Sequence, residues 1–251
     1  MTDALVLCYH AMSERWPAAL SVTPDALRSQ LALLRRKGYR GVTFSDVALG
    51  RARGKVVAVT FDDAFSSVLA IGKPILDEAG MPATVFVPTG FVGGEGPMAW
   101  PGTDRWLGGP HEGELRCMTW EDLRGLRDGG WEIGSHTRSH PFLTRLSDDR
   151  LVEELESSRA DCERELGLCE SLAYPYGDHD ERVVGAAHAA GYATACTLPD
   201  SVHAARSLAW PRVGVYHADG GLRFRLKVSP AVRRLRASDS LAAFARRLVR
   251  A

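Results

Sequence analysis

Short apolar runs alternate with helical segments along most of this chain, and this alternation restricts the fold more than any other feature. The runs at 4–10, 55–63, 83–88, 131–136 and 193–198 have the length of buried strands. Consecutive parallel strands need a crossover connection, usually a helix. The alternation therefore predicts parallel strands with helices outside, either as a barrel or as a doubly wound sheet.

Helix boundaries are marked by capping residues between these runs. Thr23 is a candidate N-cap and Gly38 a stop, Thr119 opens a second helix, and Ser147 precedes a long one at 148–166. No GxGxxG or GxxxxGK[ST] sequence follows any of the runs, so the nucleotide-binding fingerprints are absent.

The distribution of charge separates the C-terminal segment from the rest. The 251 residues have a formal net charge of zero, which gives no electrostatic reason to expect nucleic-acid binding. Residues 221–251, however, contain nine Lys or Arg and one acidic residue, Asp239. We expect a basic helical tail, either part of the main domain or appended to it. Its candidate roles are a solvated helix face packed on the domain, an acidic partner, or peripheral contact with an anionic membrane.

Cysteine usage and hydropathy bear on location. The five cysteines form no CxxC pair, and a disulfide framework is not expected. The first ten residues, MTDALVLCYH, lack the features of a secretory signal, and the sequence contains no apolar run of 18 residues. These features predict a cytoplasmic location. The sequence carries no signal of oligomeric state.

Polar side chains with metal-binding ability recur where the predicted strands end. Asp62 and Asp63 follow KVVAVTF, His136 and His140 follow WEIGS, and AYPYGDHD follows a short apolar run. The C-terminal ends of parallel strands lie on one face of an α/β fold. These three groups are therefore expected to meet although they are distant in sequence.

Two histidines four residues apart share one face of a helical turn and can bind one cation together. A carboxylate from Asp63 would complete the arrangement of a catalytic metal site with open positions. Asp62 would then be free to remove a proton from water. Taken alone, each motif has a simpler explanation: a turn or helix cap for the aspartates, and surface or core histidines for the pair.

The interval 91–117 interrupts the alternation. It is rich in glycine and proline and carries Trp100 and Trp106. Loops of this length in compact domains are often functional, and indoles can stack on ligand rings. The alternative, given equal weight, is a loop that packs on the domain and binds no ligand.

Three motifs resemble those of the polysaccharide deacetylases, the NodB-homology group of carbohydrate esterase family 4. TFDDA resembles the first motif, SHTRSH the second, and AYPYG the third, in which Tyr174 and Pro175 would contact substrate. The resemblance implies an α/β fold, a distorted (β/α) barrel with about seven strands, over residues 1–220. Residues 221–251 would form the basic tail.

The resemblance also implies roles for individual residues. Asp62 would be the general base, and Asp63, His136 and His140 the ligands of a divalent metal, most simply zinc, with cobalt or nickel as alternatives. The backbone N–H of Tyr176 would contribute to the oxyanion hole.

Two departures from the family pattern matter. Ala173 stands where the third motif usually has an arginine that orients the catalytic aspartate, and Arg212 in WPRVGV is the candidate replacement. The usual late Leu-x-His motif, which supplies the general acid, is absent. His10 is the first candidate for that role, with a purely structural histidine as the alternative, and His217 is the second.

These observations predict a metal-dependent hydrolase that removes the acetyl group of an N-acetylated amino sugar. The predicted cytoplasmic location favours a small substrate, such as a nucleotide sugar or a lipid-linked sugar. Two alternatives remain open: a hydrolase of a cyclic or other non-sugar amide on the same fold, and a non-catalytic glycan-binding module that retains the metal.

Overall fold

Parallel strands form the centre of the molecule. The computed structural model of the protein describes residues 3–198, 205–230 and 232. Within those ranges, every strand pairing of the main sheet is parallel. The strands are β1 (Asp3–Tyr9), β2 (Ala11–Met12), β3 (Ser21–Val22), β4 (Arg40–Val42), β5 (Lys55–Phe61), β6 (Thr84–Val87), β7 (Glu132–Ser135), β8 (Ser171–Ala173), β9 (Thr194–Thr197), β10 (Trp210–Pro211) and β11 (Val213–Gly214).

One short segment closes this sheet into a barrel. The strand order is β10-β9-β8-β7-β6-β5-β1-β11, with β4 paired to β5 off this path and β2 paired with β3 in a separate sheet. The two edge strands, β10 and β11, are consecutive in the chain and are separated only by Arg212. Residues 210–214 therefore bridge β9 on one side and β1 on the other, with Trp210 opposite Cys196 and Val213 opposite Leu7.

With 210–214 taken as one strand, seven strands surround the barrel axis in the described part of the chain. The prediction of a distorted barrel with about seven strands is confirmed.

Helices cover the outside of the barrel. Thr23 caps the first helix by accepting a hydrogen bond from the N–H of Ala26, and Thr119 forms a reciprocal capping box with Asp122. A π-helical turn at Val68–Gly72 leads into the third helix. The α-helices named in the described part of the chain are α1 (Pro24–Arg36), α2 (Phe44–Ala48), α3 (Lys73–Ala79), α4 (Trp120–Asp128), α5 (Asp148–Leu166), α6 (Glu181–Ala189) and α7 (Gly221–Lys227).

Alternate residues of the central strands face two different cores. On β5, Val56 and Ala58 belong to a small cluster with Phe86, whereas Val57 and Val59 belong to the larger cluster that includes the helices. The period of two explains this division, because successive side chains point to opposite faces of a strand. Strands buried on both faces explain why the runs are apolar throughout rather than alternating.

Helix α7 packs onto the body of the barrel. Phe224 on α7 is fully buried, and α7 contacts α1. The remainder of the predicted basic tail, residues 231 and 233–251, lies outside the described residues. Each helix in the described part of the chain is too short or too polar to traverse a lipid bilayer.

Candidate metal centre and active site

The candidate functional side chains lie at the C-terminal ends of the barrel strands. Asp62 and Asp63 follow β5, His136 follows β7, and His10 follows β1. Arg212 lies between β10 and β11, on the segment that closes the barrel. Since the strands are parallel, these positions are all on one face of the barrel.

Left-handed backbone geometry is concentrated in the loops that carry these side chains. Within the described residues, the non-glycine residues with positive φ all lie just after β5, β7 or β8. Such conformations are uncommon for residues with a side chain and cluster at functional sites. These residues are Asp63 (φ 70°), Ala64 (51°), Thr137 (65°), His140 (60°) and Tyr176 (59°).

The predicted helical turn across the two histidines is wrong. Thr137 and His140 both adopt positive φ, so residues 136–140 form a compact turn rather than a helix. The i, i+4 spacing still brings the rings together, with centroids of His136 and His140 4.8 Å apart.

Three potential ligand atoms converge in a buried cluster. Oδ1 of Asp63 lies 3.4 Å from Nε2 of His136 and 3.3 Å from Nε2 of His140. Each of these residues is at most 5% exposed, and Oδ1 of Asp63 has no hydrogen-bond partner among the described residues. A buried carboxylate oxygen without a donor, facing two imidazole nitrogens, is unfavourable unless a cation joins them. The three residues therefore fit a divalent metal.

Neighbouring groups fix the two imidazole rings. Nδ1 of His136 donates to the carbonyl oxygen of Ala173 at 2.7 Å, which leaves Nε2 as the lone-pair nitrogen facing Asp63. The indole of Trp100 stacks on His140 with a centroid distance of 4.2 Å and an interplanar angle of 22°. Each contact orients one histidine ring and leaves its Nε2 atom, which faces Asp63, free to bind a metal.

Burial and charge set the protonation of these histidines in opposite directions. Burial lowers the pKa of His140 to about 3 despite the attraction of Asp63, so its ring is neutral. Burial also disfavours the charged form of His136, but attraction to Asp62 and Asp63 outweighs it and raises the pKa of His136. A metal ion would replace the proton that these carboxylates otherwise attract.

Asp62 faces a different partner from Asp63. Nη1 of Arg212 donates to Oδ1 of Asp62 at 2.6 Å, and Nη2 donates to Oδ2 at 2.7 Å. Arg212 thus makes the contact predicted for it, in a side chain that is 0% exposed. Its Nη1 also donates to Oγ1 of Thr60, and the Cys8 thiol donates to Oδ2 of Asp62 at 3.3 Å.

The arginine decides the charge of Asp62. Burial alone would raise its pKa, but attraction to Arg212 and then to His136 outweighs burial and holds the pKa of Asp62 well below its usual value. The carboxylate is therefore ionised at neutral pH.

His10 lies beside Asp62. It is 7% exposed, and its Nδ1 has no hydrogen-bond partner among the described residues. Burial lowers the pKa of His10 in spite of attraction to Asp63. Cys8, His10 and Asp62 also have ligand atoms within 4.8 Å of one another. The bidentate guanidinium already neutralises that carboxylate, however, so this second group is a poor cation site. His217 is exposed, and its backbone N–H donates to the carbonyl oxygen of Ala19.

The aromatic candidates differ in their access to solvent. Tyr174 is fully buried and its hydroxyl donates to the carbonyl oxygen of Leu208, and Pro175 is also buried. Trp100 is 7% exposed, so most of its surface is used within the fold. Trp106 and Tyr176 are half-buried, which leaves part of each ring for a ligand.

Sequence reasoning missed the Cys8 hydrogen bond and the stacking of Trp100 on His140. Cys8 could have been found, because residues two apart on a strand share a face and His10 was already a candidate. The Trp100 contact carried no local signal, since it joins a long loop to a turn 40 residues further along.

A parallel barrel with a carboxylate and two histidines at the C-terminal ends of its strands defines a class of candidate metallohydrolases. The comparison with known families narrows this class. The polysaccharide deacetylase family model matches residues 50–195, more than half of the chain, and the chain belongs to this family.

Relatives and solved structures agree with this assignment. The chain is 24% identical to the Bacillus subtilis protein YxkH over 193 residues, 74% of this chain and 61% of that protein. It is 25% identical to the poly-beta-1,6-N-acetyl-D-glucosamine N-deacetylase of Staphylococcus aureus over 174 residues, 62% of this chain and 54% of that enzyme. The matches therefore span only a little over half the length of these relatives.

The structure of the Streptococcus pyogenes deacetylase PplD in complex with acetate is similar in fold. It superposes with a TM-score of 0.76 at 22% identity, and the match covers 91% of this chain and 99% of that one.

Proposed function

We propose that this protein is a metal-dependent N-deacetylase that hydrolyses the acetamide of an N-acetylated amino sugar. The observation that carries the proposal is that two adjacent aspartates contact different partners. Asp63 faces His136 and His140, whereas Asp62 is held by Arg212. A ligand and an ionised base side by side are the two carboxylate functions that metal-assisted amide hydrolysis requires.

Asp63, His136 and His140 would hold the metal. One carboxylate and two imidazoles suit several first-row divalent ions, and zinc is our choice, with cobalt and nickel as substitutes. When bound, such an ion supplies Lewis-acid polarisation of the amide carbonyl and of water.

Asp62 would act as the general base. Arg212 keeps it ionised and holds it in one orientation, so that it accepts the proton of the attacking water. A nitrogen of His10 lies within 4.8 Å of a carboxylate oxygen of Asp62, a separation that one water molecule could bridge for proton transfer. We propose that His10 then donates a proton to the leaving amine.

The backbone N–H of Tyr176 would stabilise the developing oxyanion. The left-handed conformation of this residue, with φ 59°, turns the peptide groups of the loop after β8 sharply next to His140. Oxyanion-hole donors of this kind contribute about 10²–10³ in rate.

The relatives and the aromatic residues support the proposed substrate class. The Staphylococcus aureus relative is named for poly-β-1,6-N-acetyl-D-glucosamine, and we propose an N-acetylglucosamine unit as the group recognised here. The half-buried Trp106 and Tyr176 are the better candidates for contact with the sugar. Trp100, Tyr174 and Pro175 are largely buried, and they would support the residues of the site that contact the sugar. The cytoplasmic location, the small or lipid-linked substrate and the membrane contact of the tail stay predictions.

An acetate-release screen tests the proposal. Protein stripped with a chelator and then reloaded with zinc, cobalt or nickel would be assayed on poly-β-1,6-N-acetylglucosamine, chito-oligosaccharides, nucleotide-linked and lipid-linked N-acetylglucosamine, and a cyclic amide. We expect metal-dependent acetate release from at least one glucosamine substrate. Hydrolysis of the cyclic amide alone would contradict the amino-sugar assignment, and activity that survives chelation would contradict the metal dependence.

A further inference from the structure

The turn that carries the two histidines needs external support. Thr137 and His140 adopt positive φ of 65° and 60°, a region that residues with side chains seldom occupy. Within the turn, the N–H of His140 donates to Oγ1 of Thr137 at 3.2 Å. One local hydrogen bond does not select this conformation over the alternatives, so contacts from outside must do so.

Glu154 on α5 supplies the most direct of these contacts. Its Oε2 accepts the backbone N–H groups of Arg138 at 2.9 Å and Ser139 at 2.8 Å. Its Oε1 accepts the hydroxyl of Ser139 at 2.5 Å. The carboxylate is buried at 3% exposure and thus occupies the concavity formed by two successive N–H groups, a geometry that favours an anion.

Two further polar residues of the same helix support the turn at its other end. The Oγ atoms of Ser158 and Ser135 are 2.6 Å apart, and Oγ of Ser135 accepts the N–H of Thr137 at 3.0 Å. Asp161 accepts the hydroxyl of Thr89 at 3.0 Å, and the N–H of Thr89 donates to the carbonyl oxygen of Thr137 at 3.1 Å.

Residues 154, 158 and 161 are spaced i, i+4, i+7 and therefore share one face of α5. This face would be expected to be apolar if α5 served only to cover the barrel. It carries Glu154 and Ser158 among buried apolar residues such as Leu151 and Leu155, with the partly exposed Asp161 beside them. Each of the three polar residues has a hydrogen bond that leads to the histidine turn.

We propose that Glu154, assisted by Ser158 and Asp161, is a positioning residue that fixes the histidine turn in its metal-binding conformation. The inference rests on the proposed metal centre. Glu154 acts through the backbone and the Ser139 hydroxyl between the two histidines. Its loss would leave Arg138 and Ser139 with unpaired N–H groups and free the turn to relax away from Asp63.

Zinc affinity of the folded protein tests this inference. The dissociation constant would be measured by calorimetry on metal-free wild type, Glu154→Leu and Glu154→Gln, with the folded fraction checked by circular dichroism. Glu156, exposed on the same helix, provides matched controls as Glu156→Leu and Glu156→Gln. A residue that merely stabilised the fold would lower the unfolding temperature of the metal-free protein without changing the zinc affinity of the folded fraction.

We expect Glu154→Leu to weaken zinc binding by about 10- to 100-fold, the usual effect of losing an outer-shell support. Glu154→Gln keeps one acceptor oxygen for the N–H groups and should weaken binding by about 3- to 10-fold, the effect of one weakened hydrogen bond. The Glu156 variants should match wild type.

Zinc affinity of folded Glu154→Leu close to that of wild type would overturn the inference and leave the metal centre standing. If Glu154→Leu does not fold, Glu154→Gln decides, and a dissociation constant less than about threefold above wild type overturns the inference. Wild type that binds no zinc would overturn the metal centre and the role of Glu154 together.

Discussion

Asp62 and Asp63 are neighbours in the chain, yet their side chains have separate environments. The backbone explains how: Asp63 has φ 70°, which turns its carboxylate toward His136 and His140 while Asp62 remains against Arg212. Repulsion between adjacent carboxylates is offset on one side by a guanidinium and on the other by the proposed cation. Each of the two aspartates therefore has its own source of positive charge.

Removal of Arg212 should change both the pH profile and the stability of the protein. Without the guanidinium, the effect of burial is opposed only by attraction to His136 and His10, and the pKa of Asp62 rises, so a larger share of the base is protonated at a given pH. We expect the acid limb of kcat/KM for Arg212→Met to move to higher pH. An unpaired buried carboxylate should also cost about 3–5 kcal/mol of unfolding free energy.

The control for this prediction is Arg206→Met, because Arg206 pairs with Glu181 on the surface with both side chains mostly exposed. That variant should leave the pH profile unchanged. An acid limb of Arg212→Met that coincides with wild type would show that Arg212 does not govern the protonation of the base.

The sequence motifs and the predicted strand ends were enough to predict which side chains of the site meet. They did not predict the backbone conformations that hold these side chains in place. The contact between Arg212 and Asp62 was predicted because both lie at strand ends and because Ala173 stands where the family motif usually has an arginine. The left-handed conformations of Asp63 and His140 could not be predicted, because they depend on contacts with distant elements rather than on the residue type.

At the scale of elements, the loop after β8 combines two constraints in consecutive residues. Tyr176 has φ 59° and Gly177 has φ 71°. A Cβ added at Gly177 would lie 2.8 Å from the carbonyl oxygen of Leu198 and 2.9 Å from its nitrogen. Both the conformation and the close approach of the backbone require glycine there.

Gly177→Ala should therefore lower the unfolding free energy by about 1–3 kcal/mol, the cost of a strained backbone conformation. It should also reduce kcat, because the added methyl group would shift the backbone after β8 and with it the N–H of Tyr176. Gly185→Ala is the matched control: Gly185 lies within α6 and nothing is within 4 Å of an added Cβ. That variant should be more stable by about 0.5–1 kcal/mol. Equal effects of the two substitutions, measured by chemical denaturation, would contradict this account.

Helices were predicted better than turns. Thr23 and Thr119 cap helices as expected, because capping depends on residues within one turn of each other. The i, i+4 spacing of the two histidines predicts a helical turn, but the same spacing also fits the compact turn that the structure has. The group that selects between them, Glu154, is 14 residues beyond His140 on another element.

At the scale of the whole molecule, the segment that closes the barrel also supplies a residue of the candidate active site. Residues 210–214 join β9 to β1 and carry Arg212 at their centre. The strand–helix alternation predicted a parallel α/β fold, and the family resemblance predicted the barrel. The sequence does not show that residues 210–214 close the barrel, because two-residue pairings leave almost no periodic pattern.

The boundary predicted at residue 220 can be tested through α7. Phe224 is fully buried, whereas Leu222 on the same helix is 75% exposed. We propose that α7 belongs to the barrel domain, so Phe224→Ala should lower the unfolding free energy by about 3–5 kcal/mol. Leu222→Ala should change it by less than about 0.5 kcal/mol. A Phe224→Ala variant as stable as wild type would mean that the domain ends before α7.

The central claim is that Asp63 holds the metal and Asp62 performs the chemistry. It is tested most directly by zinc stoichiometry and acetate release measured together on Asp62→Asn and Asp63→Asn. We predict that Asp62→Asn binds one equivalent of zinc with loss of turnover, and that Asp63→Asn loses zinc and turnover together. Full zinc occupancy in Asp63→Asn, or acetate release at the wild-type rate by Asp62→Asn, would contradict the claim.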